Sequence, residues 1–380
     1  MMKAANRLDT VQEYYFSKKL REVRALSTEG KPIINMGIGS PDLQPPAKVI
    51  KAIQQAVVIE GAHKYQSYQG LPEFREAVSD FYKNKYNVEV SSDHEILPLM
   101  GSKEGILHIS MAFLNKGDKV LIPNPGYPTY TSVTNLVEAN PIFYELTSEN
   151  NWEPDFEKLE KEDVSDIKMM WVNYPHMPTG AKATQALFEK LIAFGKKHQI
   201  LIINDNPYSF ILNNNPLSIL SVKGAKETAL ELNSLSKSFN MAGWRVGMLL
   251  GASSFLKEVL KVKTQMDSGM FYGIQQGAIS ALKVSSSWFS EMNEVYKNRR
   301  KLVWKIADTL GCSYDKNTTG MFVWAKTPQG VKAENMVDDL LYNKDIFITP
   351  GFIFGSSGEG YIRFSLCVSE EKIKEALERL

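Results

Sequence analysis

ILIIND (residues 200–205) and ALELNSLSKSFNMAGWRVGMLLG (residues 229–251) decide the fold of this chain. Each opens on a short apolar run without clean alternation, as expected of a strand covered on both faces. Each run then gives way to polar residues: Asp205 in the first, and Ser236, Lys237 and Ser238 in the second. Working outward, comparable runs are EILPLM (95–100), KVLIP (119–123), PIFYEL (141–146) and IKMMWVN (167–173). Between them, KEGILHISMAFL and ATQALFEKLIAFGKKH space their apolar residues by three and four, the mark of amphipathic helices. Strands alternating with helices predict an α/β fold with a mostly parallel sheet sandwiched by helices.

VGMLLG supplies one more strand, and a long helical region runs from about residue 253 to 310. FVWAK, DIFITP and YIRFSL follow, with helices between them, and read as a separate, smaller layer. Near the start, VQEYYFSKKLREVRAL is a predicted helix that leads into the loop MGIGSPDLQPP. The predicted organisation is a large domain over residues 46–285 and a smaller α+β domain built from residues 1–45 and 286–380. No low-complexity linker separates them, so they are expected to share a deep cleft.

Composition narrows the function. The 380 residues are 43% hydrophobic and carry a formal net charge of +1 with no basic block. That leaves no electrostatic footprint for nucleic acid or an anionic membrane, and small molecules become the expected partners. Two cysteines without paired spacing, Cys312 and Cys367, and five scattered histidines fit a reducing compartment. They argue against a disulfide framework and against a metal centre. The opening MMKAANRLDTVQEYYF lacks the apolar run of a signal peptide, and a cytoplasmic location is expected. Gly37-Ile38-Gly39 is followed by Ser40 and Pro41 where a helix should open, so the dinucleotide-binding fingerprint fails.

A lone lysine is ordinarily a solvated charge. Lys237, however, ends an apolar strand among hydroxyls and precedes Gly-Trp-Arg-Val-Gly, and SLSKSFNMAGWRVG resembles the cofactor-lysine motif of class I/II aminotransferases, the fold-type I pyridoxal-phosphate enzymes. The resemblance spans nearly the whole chain, through IGSPD, KYQSYQG, GSKEG, NPGYPTY, YPHMPTG, NDNPY and YIRFSL in the family's order. It implies an aminotransferase that moves the amino group of an L-amino acid to a 2-oxo acid through a Schiff base between pyridoxal 5′-phosphate and Lys237. By the same resemblance, Asp205 pairs with the cofactor's pyridine nitrogen and Tyr208 bonds its phenolic oxygen. Gly101, Ser102 and Lys103 form the phosphate-cradling helix start, with Ser234 and Arg245 as further phosphate partners, and Tyr127 stacks on the ring.

Arg363 lies within an apolar strand, where a buried guanidinium requires an anion, and the resemblance makes that anion the substrate α-carboxylate. Gly39 approaches the same carboxylate through its backbone. Tyr65 is implied to reach the phosphate of a partner subunit, which makes a homodimer with shared active sites the expected assembly. One position departs from the family: Met177 stands where Asn-Pro-Thr-Gly usually begins. Either His176 substitutes as a hydrogen-bond donor or Met177 lines a more apolar substrate pocket, with Tyr15 and Phe16 as further pocket candidates. A β-lyase on the same fold and a non-catalytic cofactor-binding protein are the alternatives. The clamp expected from Arg363 argues against decarboxylation.

Overall fold

The computed structural model describes residues 2–9 and 15–380. Its strands, in chain order, are β1 (Ile34–Asn35), β2 (Ile96–Leu99), β3 (Lys119–Asn124), β4 (Asn140–Glu145), β5 (Ile167–Val172), β6 (Leu201–Asp205), β7 (Ala229–Ser234) and β8 (Gly247–Gly251). They continue with β9 (Ser313–Tyr314), β10 (Phe322–Lys326), β11 (Ile346–Phe347), β12 (Thr349–Pro350) and β13 (Tyr361–Ser365). Every apolar run singled out in the sequence contributes a strand.

Seven strands form the central sheet in the order β2-β8-β7-β6-β5-β3-β4. The five from β7 to β4 are mutually parallel, whereas β8 runs antiparallel to both β7 and β2. Alternate residues serve two cores. Met169 and Trp171 of β5 join Ile203, Leu230 and Leu249 under the helices Ser102–Phe113 and Ser253–Lys263. Met170 and Val172, with Ile202 and Met248, join Phe74, Phe188 and Leu191 on the opposite face. Both faces are thus covered, which is why these strands lack a polar alternation.

A four-stranded antiparallel sheet, β12-β13-β10-β9, lies in the last third of the chain. Here β1, from the N-terminal segment, pairs in parallel with β11, so the two ends of the chain meet in one structure. The region from residue 253 to 310 resolves into three helices, Ser253–Lys263, Tyr272–Leu282 and Ser286–Thr309. The predicted N-terminal helix is seen over Tyr15–Thr28, and its first positions, 11–14, lie outside the described residues. Among the described residues, no helix is long and apolar enough to cross a membrane.

Candidate active site

Parallel sheets bind ligands beyond the carboxyl ends of their strands, where loops leave the sheet. Asp205 and Ser234 end β6 and β7, and Asn173 directly follows β5. All three line one cavity of about 710 Å³, together with Lys237 and Arg363. Tyr208, Met177, Tyr127, Ser102, Lys103 and Arg245 line it as well, and Gly39 enters from the N-terminal loop. Of the residues expected in the site, Gly101 and Tyr65 do not line this cavity.

Lys237 is partly buried, and desolvation holds its amine below the ordinary lysine range, with Arg363 and Arg245 adding to the effect. Its Nζ donates to the Gly39 carbonyl at 2.5 Å. A Cβ on Gly39 would run into the Phe322 ring, so glycine is needed for this close approach. Gly39 therefore faces the lysine. The backbone that meets the arginine is Gly37, whose carbonyl accepts from Arg363 Nη2 at 2.9 Å.

Burial drives the Asp205 carboxyl up to about 6, opposed by a hydrogen bond from Tyr130 and by the charge of Lys237. Tyr130 Oη donates to Asp205 Oδ2 at 3.0 Å, while Oδ1 is buried without a hydrogen-bond partner among the described residues. Tyr130 is itself fully buried and stacks on Trp171 at 4.9 Å, which holds the phenol under the carboxylate. Asn173 braces the same strand end: its Nδ2 donates to the Asp205 carbonyl at 2.5 Å and its Oδ1 accepts from Met177 N at 2.9 Å. Neither Tyr130 nor Asn173 was a sequence candidate. Tyr130 lies one helical turn beyond Tyr127 in the quoted block NPGYPTY, and that spacing was the available signal.

At the other end of the cavity, the helix Ser102–Phe113 opens beside Arg245. Gly101 caps it at φ +90°, and a Cβ there would collide with Arg245 Nη2. Gly247 of β8 is likewise required, since its Cβ would sit 2.7 Å from Ser102 N. Glycines at 101 and 247 thus let a guanidinium approach a helix start, where amide donors and the helix dipole favour an anion.

Arg363 is buried between two aromatic faces, 4.0 Å from the Phe322 centroid and 4.6 Å from that of Phe354. Burial pushes its guanidinium down to about 10. Nη1 reaches only the Met177 sulfur at 3.4 Å, a weak acceptor, and Nε has no partner among the described residues. A planar cation held this way still lacks its anion. His176 does not line the cavity. Its Nδ1 pairs with Thr179 Oγ1 at 2.8 Å, and burial holds the imidazole neutral, its pKa lowered to about 3. Met177 is the residue that occupies the departure.

A family model for aminotransferase class I and II matches residues 31–380. The chain belongs to the aminotransferase class I and II family. The LL-diaminopimelate aminotransferase of Halothermothrix orenii is 39% identical over 381 residues, spanning 100% of this chain and 98% of its own. The LL-diaminopimelate aminotransferase of Aquifex aeolicus is 37% identical over 382 residues, covering 100% and 99%. Among solved structures, apo-BacF from Bacillus subtilis superposes with a TM-score of 0.96 at 33% identity, covering 100% of this chain and 98% of that one. As a family member, this aminotransferase is a pyridoxal 5′-phosphate enzyme that transfers amino groups, and the lyase alternative is not favoured.

The residues fit that cofactor. The unpartnered Asp205 Oδ1 suits a protonated ring nitrogen, the helix start with Arg245 suits a dianionic phosphate, and a partly buried lysine of lowered pKa suits an aldehyde.

Proposed function

We propose that this aminotransferase works with Lys237 as its covalent anchor and proton carrier, Asp205 as the counter-ion of the ring nitrogen and Arg363 as the clamp on the substrate α-carboxylate. The convergence of these three groups on one cavity carries the reading. Bound pyridoxal 5′-phosphate supplies an electron sink for charge leaving the substrate α-carbon.

The protein's part is placement and proton transfer. Arg363 and the Gly101–Lys103 helix start hold anions at opposite ends, which fixes the orientation of the α C–H bond toward Lys237. Desolvation lowers the pKa of Lys237 Nζ, which favours the neutral amine that can take the α-proton and give it back. Tyr208 lines the cavity from the loop after Asp205 and supplies a donor for the phenolic oxygen, while Tyr127 and Ser234 complete the ring and phosphate contacts. Substrate is held between residues 46–285 on one side and the segments 1–45 and 286–380 on the other.

The reading includes a homodimer. Tyr65 is 90% exposed, and Val58, Ile59, Tyr68, Met266 and Phe271 are also exposed. They form one neighbourhood, since His63 stacks on Phe271 at 5.9 Å and Lys263 Nζ donates to the Tyr68 carbonyl at 3.0 Å. A large exposed apolar surface of this kind supports subunit association. Donor and acceptor are an amino acid and a 2-oxo acid, and LL-diaminopimelate, named for the relatives above, is one donor to assay.

The test is borohydride reduction of the holoenzyme followed by peptide mapping, with amino donors screened in parallel. The label is expected on Lys237, and Lys237→Ala is expected to lose both the label and at least ~10²–10⁴-fold in turnover. Label on another lysine, or undiminished turnover in the variant, overturns the proposal.

A further inference from the structure

Resting on that reading of the site, we propose that the preferred amino donor carries an uncharged apolar or aromatic side chain, and that Phe16 and Ile353 set this preference. The charged side chains among the described residues lining the cavity are Lys103, Asp205, Lys237, Arg245 and Arg363. Four are committed in the proposed mechanism, Arg245 to the phosphate end, Asp205 to the ring nitrogen, Lys237 to the covalent link and Arg363 to the α-carboxylate, and Lys103 belongs to the helix start at the phosphate end. No further charge among these residues remains to receive one at the far end of a donor.

The wall next to the Arg363 clamp is apolar. Phe354, whose ring lies 4.6 Å from the Arg363 guanidinium, is followed back along the turn Gly351–Phe354 by Ile353, which also lines the cavity. The N-terminal helix lays Tyr15, Phe16, Ser17 and Leu20 against the same cavity, with Ser17 and the Tyr15 hydroxyl as its neutral polar groups. Phe352 packs edge-on to Tyr15 at 5.1 Å, and Phe16 packs on Phe347 at 6.2 Å, so helix and turn form one continuous wall. Met177 extends it, with a thioether where the family usually carries an amide.

The Tyr15 hydroxyl does not supply a charge. It is buried without a hydrogen-bond partner among the described residues, and burial pushes its pKa up to about 12, so it offers this wall one neutral donor and no charge. A diamino diacid would bring a second ammonium and a second carboxylate to this wall. Both would be desolvated there without an opposite charge, whereas a phenyl or branched alkyl group would gain by burial.

The experiment measures the first half-reaction of the holoenzyme, donor alone, from the cofactor absorbance, which removes any dependence on the acceptor. L-phenylalanine and L-leucine are compared with L-glutamate and LL-diaminopimelate. Apolar donors are expected to exceed both charged donors by at least roughly 100-fold in rate constant over dissociation constant. Phe16→Ala is expected to lower the phenylalanine value by roughly tenfold or more while leaving that for L-alanine within about twofold. Calorimetric titration with the unreactive acids 3-phenylpropanoate and glutarate gives a readout without turnover, and the former is expected to bind more tightly.

A preference for LL-diaminopimelate or glutamate, or tighter binding of glutarate, overturns the inference while leaving the proposed mechanism intact. Absence of a half-reaction with every donor, with no label on Lys237, is the separate failure of the mechanism itself.

Discussion

Asp205→Asn should act in opposite directions on the cofactor-free protein and on the holoenzyme. The Asp205 carboxyl rises from 3.8 in its unperturbed state to about 6 in the folded chain because burial strips its water and only Tyr130 donates to it. A shift of that size is a cost of about 3 kcal/mol for keeping the group ionised at neutral pH. Below about pH 4 both folded and unfolded chains hold the proton and the cost vanishes. Between about 4 and 6 the unfolded chain releases its proton first, so stability falls as pH rises, and above about 6 the penalty is complete.

Asparagine carries no charge, and its amide can donate to the Tyr130 oxygen while keeping nearly the same volume. Cofactor-free Asp205→Asn is therefore expected to melt ~3–4 °C above the wild type at pH 7.5, given an unfolding entropy of ~2.1 cal/mol/K per residue over a chain of this length. The difference should disappear at pH 4. In the holoenzyme the carboxylate has a cation to pair with, and its removal is expected to lower turnover by ~10²–10³-fold. Thermal unfolding of both forms from pH 4 to 8, with turnover at pH 7.5, provides the assay. If the cofactor-free variant is the less stable protein at neutral pH, or if it turns over at the wild-type rate, the electrostatic account of Asp205 is wrong.

Gly101→Ala places a methyl against Arg245 Nη2 at a residue whose φ is +90°. Displacing Arg245 should weaken pyridoxal 5′-phosphate binding by roughly tenfold or more in equilibrium dialysis, and strain of ~1–3 kcal/mol should lower the melting temperature of the cofactor-free chain by ~1–4 °C. Met177→Asn restores an amide beside Arg363. A donor to the ionised phenolic oxygen favours that form, so the pKa read from the cofactor absorbance should fall by up to about one unit, and an unchanged value would show that the amide makes no such contact. Tyr65→Ala and Lys237→Ala are each expected to be impaired, yet mixing the two with subunit exchange should recover activity, because one site of the hybrid then draws both residues from unmutated positions. No recovery in confirmed hybrids would place Tyr65 outside the partner's site.

Much of this molecule was legible in one dimension because its main determinants are local. The runs that became β3, β5, β6 and β7 are apolar on both faces, as Met169 and Met170 show by facing opposite cores, and no register is needed to recognise such a strand. Asp205 ends β6 and Lys237 comes three residues after β7, so a chain-order argument already put them beside the sheet's carboxyl edge. The positive φ that favours glycine at position 101 likewise belongs to a single helix start. The N-terminal helix and the paired segments β1 and β11 are different, since their partners lie more than 300 residues away and no periodicity within either segment specifies the other.

Only the folded chain showed what surrounds the reactive groups. Tyr130 beneath Asp205, the two phenylalanines flanking Arg363, and the diversion of His176 to Thr179 all depend on contacts between distant segments. The same is true of the apolar wall made by Phe16 and Ile353. Residue types and spacing determined which groups carry charge and which strand each one ends. Their pKa values, their missing partners and the shape of the space between them follow from desolvation and packing, which are properties of neighbours that the linear chain does not name.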